Sequence, residues 1–61
     1  KLAKSVVSRV DISEGHTITR EMLTTKGPGS GISPMDMDRV VGARAARDIP
    51  HDTVLHEEDV R

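Results

Sequence analysis

The sequence predicts a small, mostly β domain with short one-turn helices and internal pseudo-twofold symmetry. Three observations predict it. β-Branched residues are gathered in short runs rather than spread at helical spacing. Gly and Pro concentrate in one loop, Gly27-Pro28-Gly29-Ser30-Gly31, rather than breaking a helix. The end of the chain repeats its beginning: Asp11-Ile12 recurs as Asp48-Ile49, an offset of 37 residues. At that offset Val6 meets Ala43, Ile18 meets Leu55, Thr19 meets His56, Glu21 meets Glu58 and Leu23 meets Val60. A single unit of this length cannot bury its own apolar face, but two related units can share one core.

The elements follow in order. Ser5–Val10 is a β-branched run and is predicted as a strand. Asp11–His16 is a turn with Glu14-Gly15 at its tip, where Gly15 supplies a positive φ. Thr17-Ile18 extends again. Thr19 is the expected N-cap of one helical turn over Arg20–Leu23, after which Thr24-Thr25-Lys26 returns to extended backbone. Gly27-Pro28-Gly29-Ser30-Gly31 is the strongest loop signal. Ser33 caps a short helix with Pro34 at its first position and Asp36 near its positive end. Gly42 closes that helix. Met37, Val40 and Val41 are spaced to face one side.

Composition narrows the function. The 61 residues contain no Phe, Tyr, Trp or Cys, so one small aliphatic core is all the chain can build. Nine Lys and Arg balance ten Asp and Glu, for a net charge of −1. With neither a basic field nor an aromatic stacking platform, nucleic acid is not an expected partner. No apolar run approaches the roughly 20 residues that span a bilayer, and Lys1-Leu2-Ala3-Lys4 leads into no signal-peptide h-region. That opening reads as a cut inside a longer chain.

The candidate chemistry is sparse. His16, His51 and His56 have no metal-ligand spacing, and no metal site is expected in this domain. Glu57-Glu58-Asp59 is expected to be a solvent-facing charged run. No Ser or Thr pairs with a histidine as an activated nucleophile, and no catalytic residue is assigned. The glycine loop lacks the spacing of a phosphate-binding loop. It remains the segment most suited to function, because its glycines let another surface approach closely.

Lys1-Leu2-Ala3-Lys4-Ser5-Val6-Val7, Asp11-Ile12-Ser13-Glu14-Gly15 and Thr19-Arg20-Glu21-Met22-Leu23 resemble the start of a SAF domain, the antifreeze-like module. Gly29-Ser30-Gly31-Ile32-Ser33-Pro34-Met35, Val40-Val41-Gly42 and Asp48-Ile49-Pro50 resemble the antifreeze-like C-terminal domain of sialic acid synthases. The resemblance implies a β-clip fold, with residues 1–61 forming a single SAF domain from the C-terminus of a larger enzyme. That parent would condense phosphoenolpyruvate with N-acetylmannosamine or a related sugar in the cytoplasm. Its TIM barrel would hold a divalent metal, manganese or magnesium. The domain itself would not be an enzyme. It would cover the barrel of the partner subunit in a domain-swapped homodimer.

In bacterial members an arginine in a Lys-Arg-Pro-Gly loop reaches the sugar. The matching stretch here is Lys26-Gly27-Pro28-Gly29, so the arginine is missing and Lys26 is the nearest cation to replace it. Lys26, Gly27, Pro28, Gly29, Ser30 and Gly31 are therefore the expected substrate-proximal loop. The resemblance leaves two alternatives. One is a free-standing type III antifreeze-like ice-binding protein, against which Asp11, Glu14, Arg20 and Glu21 place charges on the matching face. The other is the SAF module of a sugar-acid dehydratase or of a pilus or flagellar chaperone.

Overall fold

In the computed structural model, which describes residues 3–61, the opening β-branched run forms strand β1, Ser5–Ser8. Lys1 and Leu2, the start of the segment read as a cut, lie outside the described residues. β1 is shorter than the predicted Ser5–Val10 because its partner runs out. It pairs antiparallel with β2, Leu23–Lys26, and the ladder stops at Ser8–Leu23. The residue before Leu23 belongs to a helical turn, so Arg9 makes one last bond, from its N–H to the Met22 carbonyl (2.7 Å), and the chain bends away.

The predicted helical turn is a 3-10 helix over Arg20–Met22, with Leu23 already the first residue of β2. Thr19 has extended N-cap backbone, but its hydroxyl makes no capping bond. Ser33 caps as predicted: its Oγ accepts the Met35 N–H at 3.2 Å ahead of a 3-10 turn over Pro34–Asp36. That turn runs into α1, Met37–Val40. Gly42, at φ +94°, ends the helix.

The repeat is visible in the backbone hydrogen bonds. Ile12 and Ile49, equivalent at the 37-residue offset, exchange both N–H···O bonds with each other at 2.8 Å, which places them on the pseudo-twofold axis. Other bonds between the halves have mates. Ile18 N–H to Ala43 O matches Leu55 N–H to Val6 O, and Gly15 N–H to Ala45 O matches Asp52 N–H to Ser8 O. The 3-10 helix over Glu57–Asp59 is the mate of Arg20–Met22. The bridge between Ala45 and Val60 is the mate of the Ser8–Leu23 pair of the β1–β2 ladder. Gly15 is at φ +83° and its mate Asp52 at φ +59°, so both tight turns use the left-handed region.

The two turns cap each other. The Asp48 carboxylate accepts the Glu14 N–H, and the Asp11 carboxylate accepts the His51 N–H, both at 2.8 Å. The Asp-Ile pair thus recurs for two reasons: the aspartate caps the opposite turn and the isoleucine lies on the axis. Val6, Ile12, Ile18, Leu23, Ile32, Val40, Ala45, Ile49 and Leu55 form one buried cluster drawn from both halves, with Met22, Met37, Val41 and Val60 packed against it. Apolar burial at roughly 25 cal/mol per Å² is the main driving force here, and the symmetry lets short aliphatic side chains supply it without a ring.

α1 sits between the halves. Asp38 pairs with Arg20 of the first 3-10 helix (2.6 Å), and Arg39 grips Glu57 of the last one through two hydrogen bonds (2.9 and 2.7 Å). The charges are reversed between the two contacts.

Candidate functional site

The loop Gly27–Gly31 leaves β2 beside the first residue of β1, and that residue holds it. Ser5 is fully buried. Its hydroxyl donates to the Pro28 carbonyl oxygen at 2.6 Å and accepts the Gly31 N–H at 3.0 Å. One buried side chain therefore satisfies both a donor and an acceptor of the loop and fastens it at two points. Beyond the loop, Ile32 is threaded between the halves: its N–H bonds to Leu55 O and its carbonyl accepts the Val6 N–H, both at 2.8 Å.

The glycines of the loop divide into two kinds. A β-carbon at Gly31 would overlap the Leu55 carbonyl oxygen and the Val54 side chain, and one at Gly29 would overlap Ala3. These two positions permit close backbone approach. Gly27 is different: its nearest neighbour would be the Ala3 carbonyl oxygen at 3.5 Å, an ordinary contact. A side chain at 27 has room. The residues from Lys26 to Ser30 are exposed, so the loop is a solvent-facing rim on an anchored base.

Lys26, the nearest cation to the missing arginine, is committed elsewhere. Its ammonium pairs with Asp52 at 2.7 Å, with both side chains more than half exposed. The hydrogen bond from Lys26, aided by its charge, lowers the Asp52 pKa below the usual 3.8. Sequence reasoning missed this partner, although Asp52 is the offset mate of Gly15 and was identifiable as the second turn's tip.

The acidic run is the main correction. Glu57 and Glu58 are exposed, but Asp59 is only 2% exposed. Its carboxylate accepts Arg47 Nε at 2.6 Å and reaches back to the His56 N–H at 2.9 Å. Burial works against the charge, but those two donors outweigh it and the carboxyl pKa is lowered. The run faces solvent only where side chains point off the 3-10 turn. Its last member turns inward to cap that turn, a structural role.

The histidines are scattered: His51 Nδ1 lies 3.4 Å from Asp11 and His56 Nδ1 lies 3.8 Å from Asp59, while His16 Nδ1 is 2.7 Å from the Thr17 carbonyl. Among the described residues no group of three histidine, cysteine or carboxylate side chains converges into a metal site. Asp11, Glu14, Arg20 and Glu21, the charges on the face that would meet ice, are all exposed.

A pseudo-twofold pair of strand, turn and 3-10 units around an aliphatic core, with a serine-pinned glycine loop, defines the class. The chain belongs to the SAF domain family, whose model matches residues 3–61. It is 41% identical over 59 residues to N-acetylneuraminate-9-phosphate synthase of Homo sapiens, covering 95% of this chain and 16% of that protein. It is 35% identical over 54 residues to N,N'-diacetyllegionaminic acid synthase of Campylobacter jejuni, covering 88% of this chain and 16% of that protein. The chain thus spans about one-sixth of the curated relatives it matches. Among solved structures, the solution structure of an antifreeze protein like domain of the human N-acetylneuraminic acid phosphate synthase gene superposes with a TM-score of 0.89 at 38% identity. That match covers 93% of this chain and 73% of the other. The chain is therefore homologous to the antifreeze-like domain of sialic acid synthases.

Proposed function

We propose that this domain is the C-terminal lid of a cytoplasmic synthase that condenses phosphoenolpyruvate with N-acetylmannosamine or a related amino sugar. In this reading the domain lies over the TIM-barrel mouth of the partner subunit in a domain-swapped homodimer. The observation that carries it is the similarity to two synthases named for different sugar acids across nearly all of this chain. The exposed rim over an anchored base supports it, because a lid needs a surface that meets another body while keeping its own shape. Covering the site excludes water, which strengthens the electrostatic interactions that stabilise developing charge.

The domain supplies no catalytic side chain in this reading. In this reading the divalent ion, manganese or magnesium, would be held by the barrel of the parent. Among the described residues no helix is long and apolar enough to cross a membrane.

The missing arginine makes the reading testable. Gly27 is the rim position with room for a side chain, so Gly27→Arg is expected to leave the fold intact and add a forked donor facing the sugar. In the full-length synthase the KM for the amino sugar is expected to shift by about tenfold, the scale of one charge-assisted hydrogen bond. The KM for phosphoenolpyruvate is expected to stay within about twofold. Equal shifts in both constants, or none, would place the loop away from the sugar.

A further inference from the structure

A second feature adjoins the loop and shares only Lys26 with its rim. Ser8, Arg9, Thr24, Lys26, His51 and Asp52 line a shallow groove of about 350 Å³ where the β1–β2 hairpin meets the second turn. We infer that this groove binds a small oxyanion, a phosphate or a carboxylate, between the Arg9 guanidinium and the Lys26 ammonium.

Three observations lead there. First, the groove contains two permanent cations and one carboxylate, although the chain as a whole carries a net charge of −1. Second, the two cations differ in how they are used. Lys26 is oriented by Asp52 at 2.7 Å, which leaves further N–H donors of its ammonium for a ligand. Arg9 has no side-chain hydrogen bond or ion pair among the described residues, so its five-donor fork is unassigned at the groove wall. Third, the neighbouring anions are occupied. The Asp11 carboxylate accepts the His51 N–H and lies 3.4 Å from His51 Nδ1, so it does not neutralise Arg9. A guanidinium and an ammonium that line one groove suit a planar or tetrahedral oxyanion, which takes bidentate bonds from the first and a point charge from the second. Thr24 is also among the lining residues. The Ser8 hydroxyl is committed to the Pro50 carbonyl and the Thr53 N–H.

The inference predicts effects of opposite sign at two positions. Arg9→Gln removes the fork. Asp52→Asn removes the competing negative charge but keeps the backbone, because asparagine tolerates the left-handed φ of this residue as aspartate does.

The test is a titration of the 61-residue chain at constant ionic strength, followed by amide ¹H–¹⁵N NMR. Inorganic phosphate is one arm, sodium acetate a second and glycerol a neutral control. Saturable shifts confined to the groove amides, weakened at least about fivefold by Arg9→Gln and tightened about two- to fivefold by Asp52→Asn, are expected. Saturation with phosphate alone assigns a phosphate ester, and saturation with acetate as well assigns a carboxylate. A linear response without saturation overturns the inference. So does a response that Arg9→Gln leaves unchanged in a variant whose amide dispersion matches the wild type.

Discussion

Gly31→Ala is expected to destabilise the domain by about 2–3 kcal/mol, in the upper range for overpacking a tight site. The added methyl has nowhere to go: it meets a backbone carbonyl at Leu55 and a side chain at Val54. A carbonyl on the opposite half cannot rotate aside without breaking the bond it accepts from the Ile32 N–H. The same shift would pull the Gly31 N–H off the buried Ser5 hydroxyl, which would lose its donor. Each kcal/mol lowers Tm by roughly 4–8 °C in a domain of this size, so thermal unfolding should show a drop on the order of 10–20 °C. Gly27→Ala is the control and should change Tm by less than about 3 °C. Equal effects at the two glycines would mean that the loop is not pressed against the second half.

Asp59→Ala is expected to cost a similar amount, about 2–3 kcal/mol, through loss of two hydrogen bonds to a buried carboxylate. One comes from Arg47 and the other from the His56 N–H that opens the last 3-10 turn. The pH dependence gives a second handle. The folded carboxyl pKa is lowered from its usual 3.8. Its contribution is therefore fully present above about pH 3.8 and fades as pH falls through the lower folded value. The gap between wild type and Asp59→Ala, from denaturant melts, should be constant near neutrality and should narrow in acid. Asp11, Asp52 and Glu57 are also lowered by their partners, but they are unchanged in the variant and cancel in the difference. A gap that stays constant down to pH 2 would show that Asp59 acts by packing rather than by charge.

Both residues show where sequence reading succeeds and where it stops. The duplication was legible because its two jobs, capping a turn and sitting on the axis, demand the same residues twice: aspartate and isoleucine. The short helix was legible because Ser33, Pro34 and Gly42 each act locally. The pinned loop was only half legible. Its glycines announce a loop, but its anchor, Ser5, lies 23 residues from Pro28 and looks like an ordinary strand residue. Asp59 was misread because it is one carboxylate in a run of three, and only the register of a 3-10 turn decides which of them points inward.

The offset also hides a divergence. Arg47 and Asp59 form an ion pair in the second half, whereas their mates in the first half are Val10 and Met22. Identity at matched positions is therefore a poor guide to these sites, because the same place in the fold has been filled by different chemistry. Lys26 illustrates the same limit for function. Its place in the loop suggests a substrate contact, but the residue that occupies it, Asp52, is brought near by the second turn.

In the lid arrangement proposed above, the rim of the glycine loop is covered by another body. Amide hydrogen exchange at Gly27, Gly29 and Ser30 tests it most directly. Among the described residues none of these three N–H groups donates a hydrogen bond within the domain. Gly31 is left out because Ser5 already protects it. Exchange at the three positions should be at least about tenfold slower in the full-length synthase than in the isolated 61-residue chain, since opening would then require the lid to lift. Equal exchange rates in the two proteins would contradict the account.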